Sequence, residues 1–387
     1  MIQNLNIDDF LLHYWQKKPL LIRSAFPHYK SPISAEELAG LACEEFVESR
    51  IILEQKTTPK WVLENGPFLE KRFPKLPKSH WTLLIQGLNK IFPEFDDLLH
   101  QFDFIPSWRV DDLMASYAAP EGSVGPHIDQ YDVFLLQASG RRKWMISEKA
   151  ISEDNFEEGL PLKIIKDFTP ESEWILEAGD MLYLPPNVAH YGIGMEDCMT
   201  FSIGFRAPSQ AELLSSYIDE HITTLADDLR YQDPDLRKSN NNGEISSEAI
   251  NNIQQILLSH FDDKSKIEDW FGQFITEYLN DESELIENNL TVDEFLDELK
   301  NSNSLRRPAT VRANYIKRKD NSITLFINGT KLPIQEEAND IAILFCNKAT
   351  YTYQTLQSYI DNKVALELLC RLYNSGFIEF ENDQLHE

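Results

Sequence analysis

His127, Asp129 and His190 are the residues whose types and spacing could do chemistry together. His127 and Asp129 stand two apart in HIDQYDVFLLQ, a segment that reads as a β-strand because Val133 to Leu136 form an apolar run before a turn at Gly140. Residues i and i+2 of a strand share a face, so the pair is expected to point the same way. Burying an imidazole and a carboxylate together is costly unless a hydrogen bond or a metal pairs with them. Alone, His-x-Asp is a weak signal. The second signal is GDMLYLPPNVAH, in which an apolar strand ends in two prolines and His190 follows. Several strand candidates separate the two segments, and a closed barrel can bring such distant residues together in its interior. Two histidines and one carboxylate make the facial triad of non-haem Fe(II), which leaves coordination positions open. That ligand set leaves a net positive charge, which suits a chelating 2-oxo acid and O2 as cosubstrates. The far carboxylate of such an acid needs a cation. On the next strand candidate Arg142 can supply it, since its planar fork bonds a carboxylate bidentately. Arg141 and Lys143 then point to the opposite face.

The elements that must position these groups are short strands. LMASYAA, HIDQYDVFLLQ, RKWMIS, WILE, DMLYLP and MTFSIGF lie between about Ser107 and Pro208, punctuated by Gly140, Gly179-Asp180 and Pro185-Pro186. This spacing favours a barrel or a double-sheet jelly roll. Ahead of it, DDFLLHYWQ reads as a helix stopped by Pro19, and SAEELAGLAC as a helix with a capping box from Ser34 and Glu37. After Pro208 the pattern turns helical, with a polar loop over 232–244. Ile267, Trp270, Phe271, Phe274 and Tyr278 make one aromatic stripe, read as core or as the seam of a helical homodimer. NSNSLRRP (301–308) reads as a linker. Beyond it two strands joined at Asn328-Gly329 and helices around 339–348 and 352–374 suggest a winged-helix-like domain. The expected organisation is α+β: 1–207 catalytic, 208–300 helical and dimerising, 301–387 winged-helix-like.

Charge and composition narrow the function. With 36 basic and 63 acidic residues the formal net charge is −27, which repels phosphates and acidic lipid surfaces and favours a basic protein as partner. The basic run from Arg306 to Lys319 reads as a solvated face, so direct nucleic-acid binding is not expected. Cys43, Cys198, Cys346 and Cys370 show no metal or redox spacing and read as reduced thiols. No signal-peptide layout and no membrane-length apolar run occur, so a cytoplasmic location is expected. The acidic pairs Asp111-Asp112 and Glu157-Glu158 have no partner that the sequence identifies.

RVDDLMASYAAPEGSVGPHIDQYDVFLLQASGRRKW, LEAGDMLYLPPNVAHYG and FSIGFRAP together resemble the bacterial JmjC-type ribosomal oxygenases, and FLLHYWQKKPLLIR and ISAEELAGLA agree with that resemblance. It implies a JmjC/cupin double-stranded β-helix, a helical dimerisation region and a C-terminal winged-helix-like domain. It implies Fe(II) at His127, Asp129 and His190, and 2-oxoglutarate paired with Arg142. The reaction implied is hydroxylation of an arginine β-carbon in a basic large-subunit ribosomal protein. Alternatives are a JmjC-type histidine hydroxylase or demethylase of another basic protein, or a non-catalytic cupin regulator.

Overall fold

Alternation of side chains across one large sheet separates an apolar core from a polar interior. The computed structural model describes all residues except 1, 56–59, 161, 239, 278–288, 303 and 382–387. The described chain forms two compact units, Met1–Ala207 and Pro208–Glu387.

In the first unit, helix α1 (Ile7–His13) and strand β1 (Leu20–Ile22) precede helix α2 (Ala35–Leu41). Asn6 caps α1, and Ser34 and Glu37 make both bonds of a capping box on α2. Three strands that the sequence pattern did not reveal follow: β2 (Ser49–Glu54), β3 (Trp61–Asn65) and β4 (Trp81–Ile85). Short helices α3 (Leu88–Ile91) and α4 (Asp96–Leu99) lead to β5 (Val110–Ala118), β6 (Asp132–Ser139), β7 (Arg142–Ser147) and β8 (Ser172–Leu176). The unit closes with β9 (Met181–Leu184), β10 (Ala189–Gly194) and β11 (Cys198–Phe205). The order β1-β9-β6-β11-β5-β4-β2-β3 makes an eight-stranded sheet, and β10-β7-β8 a three-stranded one. All named pairings in both are antiparallel, and the two sheets form a jelly roll.

On one face of the large sheet Leu113, Ala115, Phe134, Leu136, Phe201 and Ile203 pack with α1 and α2 in the main core. On the other, Met114, Ser116, Val133, Leu135, Thr200 and Ser202 line a cavity. Period-two alternation thus assigns each strand residue to structure or to site. The expected strand over 127–137 is shorter at its start. β6 begins at Asp132, so His127 and Asp129 do not share a strand face. They lie in the segment that enters β6, where His127 makes an isolated bridge to His190.

At the start of β6 the core face carries a carboxylate. Asp132, with no exposed surface, accepts from Arg109 Nη2 at 3.1 Å, Gln16 Nε2 at 2.8 Å and the Tyr183 hydroxyl at 2.6 Å. Tyr183 Oη in turn accepts from the Gln16 backbone N–H at 2.7 Å, so the network ties the end of the N-terminal helical segment to β9.

The second unit contains α5 (Gln210–Ile222), α6 (Ser247–Ser259), α7 (Lys264–Thr276) and α8 (Val292–Ser302). The stretch expected to be a linker holds strand β12 (Ser304–Arg306), because Leu305 is buried and pairs on both sides. Then come β13 (Ala313–Lys317), β14 (Ile323–Ile327), β15 (Thr330–Pro333), α9 (Asn339–Asn347), β16 (Thr350–Thr352), α10 (Tyr353–Ile360), α11 (Lys363–Asn374) and β17 (Glu379–Phe380). Asn328 and Gly329 both take positive φ, 45° and 78°, as a tight hairpin between β14 and β15 requires. The single helix expected over 352–374 is two, since Asn362 caps α11. Of the aromatic stripe, Tyr278 lies outside the described residues. Trp270 is buried within the unit: it stacks on Phe274 and donates from Nε1 to Ser216 Oγ of α5 at 3.1 Å. It is core rather than an exposed seam.

Removing one partner from a buried ionic network leaves the other charge uncompensated. Asp132→Ala should therefore cost about 3–5 kcal/mol, read as an earlier urea unfolding midpoint followed by tryptophan fluorescence. An unchanged midpoint would show that Arg109 finds equivalent partners.

Candidate metal centre and its pocket

Backbone pairing sets two of the three candidate ligands side by side. His127 N–H donates to the His190 carbonyl at 3.0 Å and His190 N–H to the His127 carbonyl at 2.9 Å. The imidazole centroids are 4.2 Å apart. Each ring is held in the same manner: Nδ1 of His127 bonds the Gly125 carbonyl at 2.9 Å, and Nδ1 of His190 bonds the Val188 carbonyl at 3.0 Å. A carbonyl only accepts, so Nδ1 carries the proton and each Nε2 keeps a lone pair for a metal. The Asp129 carboxylate faces both, with Oδ2 3.6 Å from His190 Nε2 and Oδ1 4.0 Å from His127 Nε2. The Asn187 N–H fixes the Asp129 backbone carbonyl at 2.8 Å. One ligand atom from each residue lies within 4.8 Å of the others. Burial, reinforced by nearby His127, lowers the His190 pKa to about 4 against the opposing pull of Asp129. His190 is thus neutral near pH 7, as metal ligation requires. Two imidazoles and a carboxylate around open space fit Fe(II).

β10, the strand that carries His190, was not evident from sequence because AHYGIG has two glycines and no apolar run. Its Gly192 has a purpose. A Cβ there would lie 2.7 Å from the Trp144 ring and 2.9 Å from Arg142 Nε, so only glycine lets Arg142 lie across the strand. Arg142 is 2% exposed and points into the interior. Its neighbours on either side turn outward, Arg141 to Glu196 and Lys143 to Glu173. Arg142 Nη1 donates to Ser116 Oγ at 2.7 Å and to Thr200 Oγ1 at 3.3 Å, and its plane lies over Trp144. Its Nε has no acceptor, and among the described residues no carboxylate pairs with it. Burial lowers its pKa from the ordinary value. Its Nη2 donates to the Gly192 carbonyl at 3.5 Å, and a buried guanidinium whose acceptors are two hydroxyls and one carbonyl, all neutral, is a site for an anion.

Arg142, His127, Asp129 and His190 line one cavity of about 280 Å³ that continues to Asp112 and Tyr131. Asp112 is a site residue that the sequence pattern did not single out. Plain alternation aims it, because it continues the Ser116 and Met114 face of β5, and a bulge beyond it returns Val110 to the core. β11 steps from Ile203 to Phe205 while β5 steps from Leu113 to Val110, so β5 holds one extra residue. Val110 and Leu113 both pack on the main core, and Asp112 joins Met114 and Ser116 on the cavity side. Burial, then Asp111, raises the Asp112 pKa, with the Gly87 N–H and Lys90 opposing. Burial, then Asp129 and Asp112, raises that of Tyr131 beside it.

Comparison with known proteins places this geometry. A JmjC domain model matches residues 97–213, and a ROXA-like winged-helix model matches residues 257–379. The chain is 32% identical over 380 residues to the ribosomal protein uL16 3-hydroxylase of Escherichia coli strain K12, covering 97% of this chain and 98% of that protein. It is 34% identical over 286 residues to a probable ribosomal oxygenase of Haemophilus influenzae, covering 70% and 68%. The structure of the E. coli ribosomal oxygenase YcfD in complex with cobalt and 2-oxoglutarate superposes with a TM-score of 0.84 at 31% identity, over 98% of this chain and 99% of that one.

The isolated cation makes a prediction. Arg142→Ala should weaken 2-oxoglutarate by roughly 30-fold or more, the cost of about 2–5 kcal/mol for a lost charge-assisted pair. Arg141→Ala, which only frees Glu196, should leave it unchanged. Calorimetric titration of the Co(II)-loaded variants reads both, and equal affinities for wild type and Arg142→Ala would remove the anion from this position.

Proposed function

The chain belongs to the JmjC-domain ribosomal oxygenases, and from that premise we propose that it is an Fe(II)- and 2-oxoglutarate-dependent hydroxylase of ribosomal protein uL16, acting on the β-carbon of an arginine. The observation that carries the reading is one cavity holding three features: a convergent His-Asp-His set, a buried guanidinium without a counter-ion among the described residues, and a half-buried carboxylate beside an aromatic ring. His127, Asp129 and His190 hold Fe(II), and Arg142 holds the far carboxylate of 2-oxoglutarate. When bound, iron and cosubstrate supply the oxidation: O2 and 2-oxoglutarate give succinate and CO2, and one oxygen atom enters a substrate C–H bond.

The chain's own residues do the rest. Nδ1–H bonds to backbone carbonyls keep both histidines oriented, and burial keeps His190 neutral. Val133, Leu135 and Trp144 keep the cosubstrate end dry. Asp112, with the Tyr131 ring beside it, receives the guanidinium of the substrate arginine through charge and stacking. An acidic protein acting on a basic one also associates faster than a neutral pair.

Further readings concern assembly and location. α5 exposes Leu214, Ile218 and Ile222, and α6 exposes Ile250, Ile253 and Leu257, at helical spacing. These faces, rather than the aromatic stripe, support a homodimer. Among the described residues no helix is long and apolar enough to cross a membrane, and all four thiols are free, which supports a cytoplasmic location. Arg318 pairs with Glu268 and Asp269, and Lys331 with Asp269, which leaves less free positive charge for nucleic acid.

The function is tested with uL16, Fe(II), 2-oxoglutarate and O2. The expected outcome is a mass gain of one oxygen atom, located by fragmentation to the β-carbon of an arginine, with equimolar succinate. Modification of histidine instead, loss of a methyl group, or no succinate at all would each overturn it.

The dimer is tested by sedimentation. The wild-type chain should sediment as a dimer at micromolar concentration, and Ile253→Asp with Leu257→Asp as a folded monomer. A monomeric wild type excludes the seam.

A further inference from the structure

Asp112 spends one of its oxygens on the protein and leaves the other open. Oδ2 accepts from Gln86 Nε2 at 3.4 Å and from the Gly87 N–H at 3.3 Å. Among the described residues no donor reaches Oδ1. It faces a gap over Gly204, where an added Cβ would sit 3.6 Å from Oδ1 and 3.7 Å from Tyr131 Cε2. Gln86 follows β4, with its backbone N–H on the Glu48 carbonyl at 3.0 Å. Its side chain is held by Arg50 of β2, whose Nη2 donates to Gln86 Oε1. Arg50 Nε is buried without an acceptor.

This chain has a polarity. A guanidinium can only donate, so the Gln86 amide must turn its oxygen toward Arg50 and its NH2 toward Asp112. Without Arg50 the amide can flip and set its oxygen against the carboxylate. Burial, Asp111 and Glu48 disfavour the charged form of Asp112, and the Gly87 N–H on Oδ2 and nearby Lys90 favour it.

Resting on the reading that Asp112 receives the substrate guanidinium, we propose that Arg50 and Gln86 are positioning residues that lock Asp112 by one oxygen. The other oxygen is then presented beside the Tyr131 ring, which selects a planar cation. A guanidinium can lie flat against the ring and donate edge-on to Oδ1. A neutral urea of the same shape gains the stacking without the charge.

The test uses the full-length Fe(II) enzyme and two peptides from the uL16 substrate site, one with the target arginine and one with citrulline in its place. Wild type should prefer arginine mainly through KM. Arg50→Met should raise KM for the arginine peptide about tenfold, with a much smaller change in kcat, and shrink the arginine-to-citrulline preference by a similar factor. Gln86→Leu should do the same, and the double variant should cost no more than either single one, as links in one chain require. Arg50→Lys should recover part of the preference. The 2-oxoglutarate affinity of the Co(II)-loaded variants reports an intact barrel, and if Arg50→Met fails that control, Gln86→Leu carries the decision. An unchanged preference in a folded Arg50→Met or Gln86→Leu overturns the brace, and so do additive losses. Asp112→Asn separates the two ideas: if it keeps the wild-type preference, the receptor assignment of Asp112 fails and the brace with it. If it alone loses the preference, only the brace fails.

Discussion

The reciprocal backbone pair between His127 and His190 is the constraint on which the site depends. It is a single antiparallel bridge outside any ladder, yet it joins the segment entering β6 to the strand that closes the small sheet. The ring orientations follow from it, because each imidazole then reaches a carbonyl two residues back in its own chain. Asp129 needs only to complete the set. No side chain outside the three has to move to make the ligand atoms converge, and the polar atoms that orient them are main-chain atoms.

The large sheet supplies the other half of the design. Its strands must be apolar on the face that packs on α1 and α2 and can be polar on the face toward the cavity. The main core is dense in phenylalanine, with Phe102, Phe134 and Phe205 in mutual ring contact range and Phe201 edge-on to Phe95. From the cavity face of the large sheet Ser116 and Thr200 accept from Arg142 of the small sheet, which stays buried without a counter-ion among the described residues. In the proposed reading the cost of that lone charge is offset when the cosubstrate carboxylate arrives, so part of the binding energy is already stored in the fold.

Much of this was legible in the sequence, for identifiable reasons. β5, β6, β7, β9 and β11 are apolar on at least one face and end at turns, and the Asn328-Gly329 hairpin and the Ser34 capping box announce themselves by residue type. His127, Asp129, His190 and Arg142 stand out as polar groups set in or beside such strands. β10 was missed because its two glycines, of which Gly192 makes room for Arg142, erase the apolar pattern. Asp112 was missed because the strand read from the sequence, LMASYAA, starts one residue after it, whereas β5 begins at Val110 and carries Asp112 on the face of Met114 and Ser116. The strand face expected for His127 and Asp129 failed for a related reason: a bridge outside a ladder leaves no periodic trace. The aromatic stripe of α7 was read as a possible seam, but Gly272, whose Cβ would collide with the Phe326 ring at 2.5 Å, shows how closely that helix presses on β14.

The lone guanidinium of Arg142 has a consequence for turnover. Succinate keeps the terminal carboxylate that this cation would hold, so Arg142 cannot tell spent cosubstrate from fresh. Discrimination then rests on the opposite end of the molecule, where the product has lost its chelating 2-oxo group. In that reading succinate would keep the Arg142 contact and meet the metal with a plain carboxylate in place of a chelate, so the affinity lost at the metal end alone would set how readily accumulated dicarboxylate stalls the enzyme.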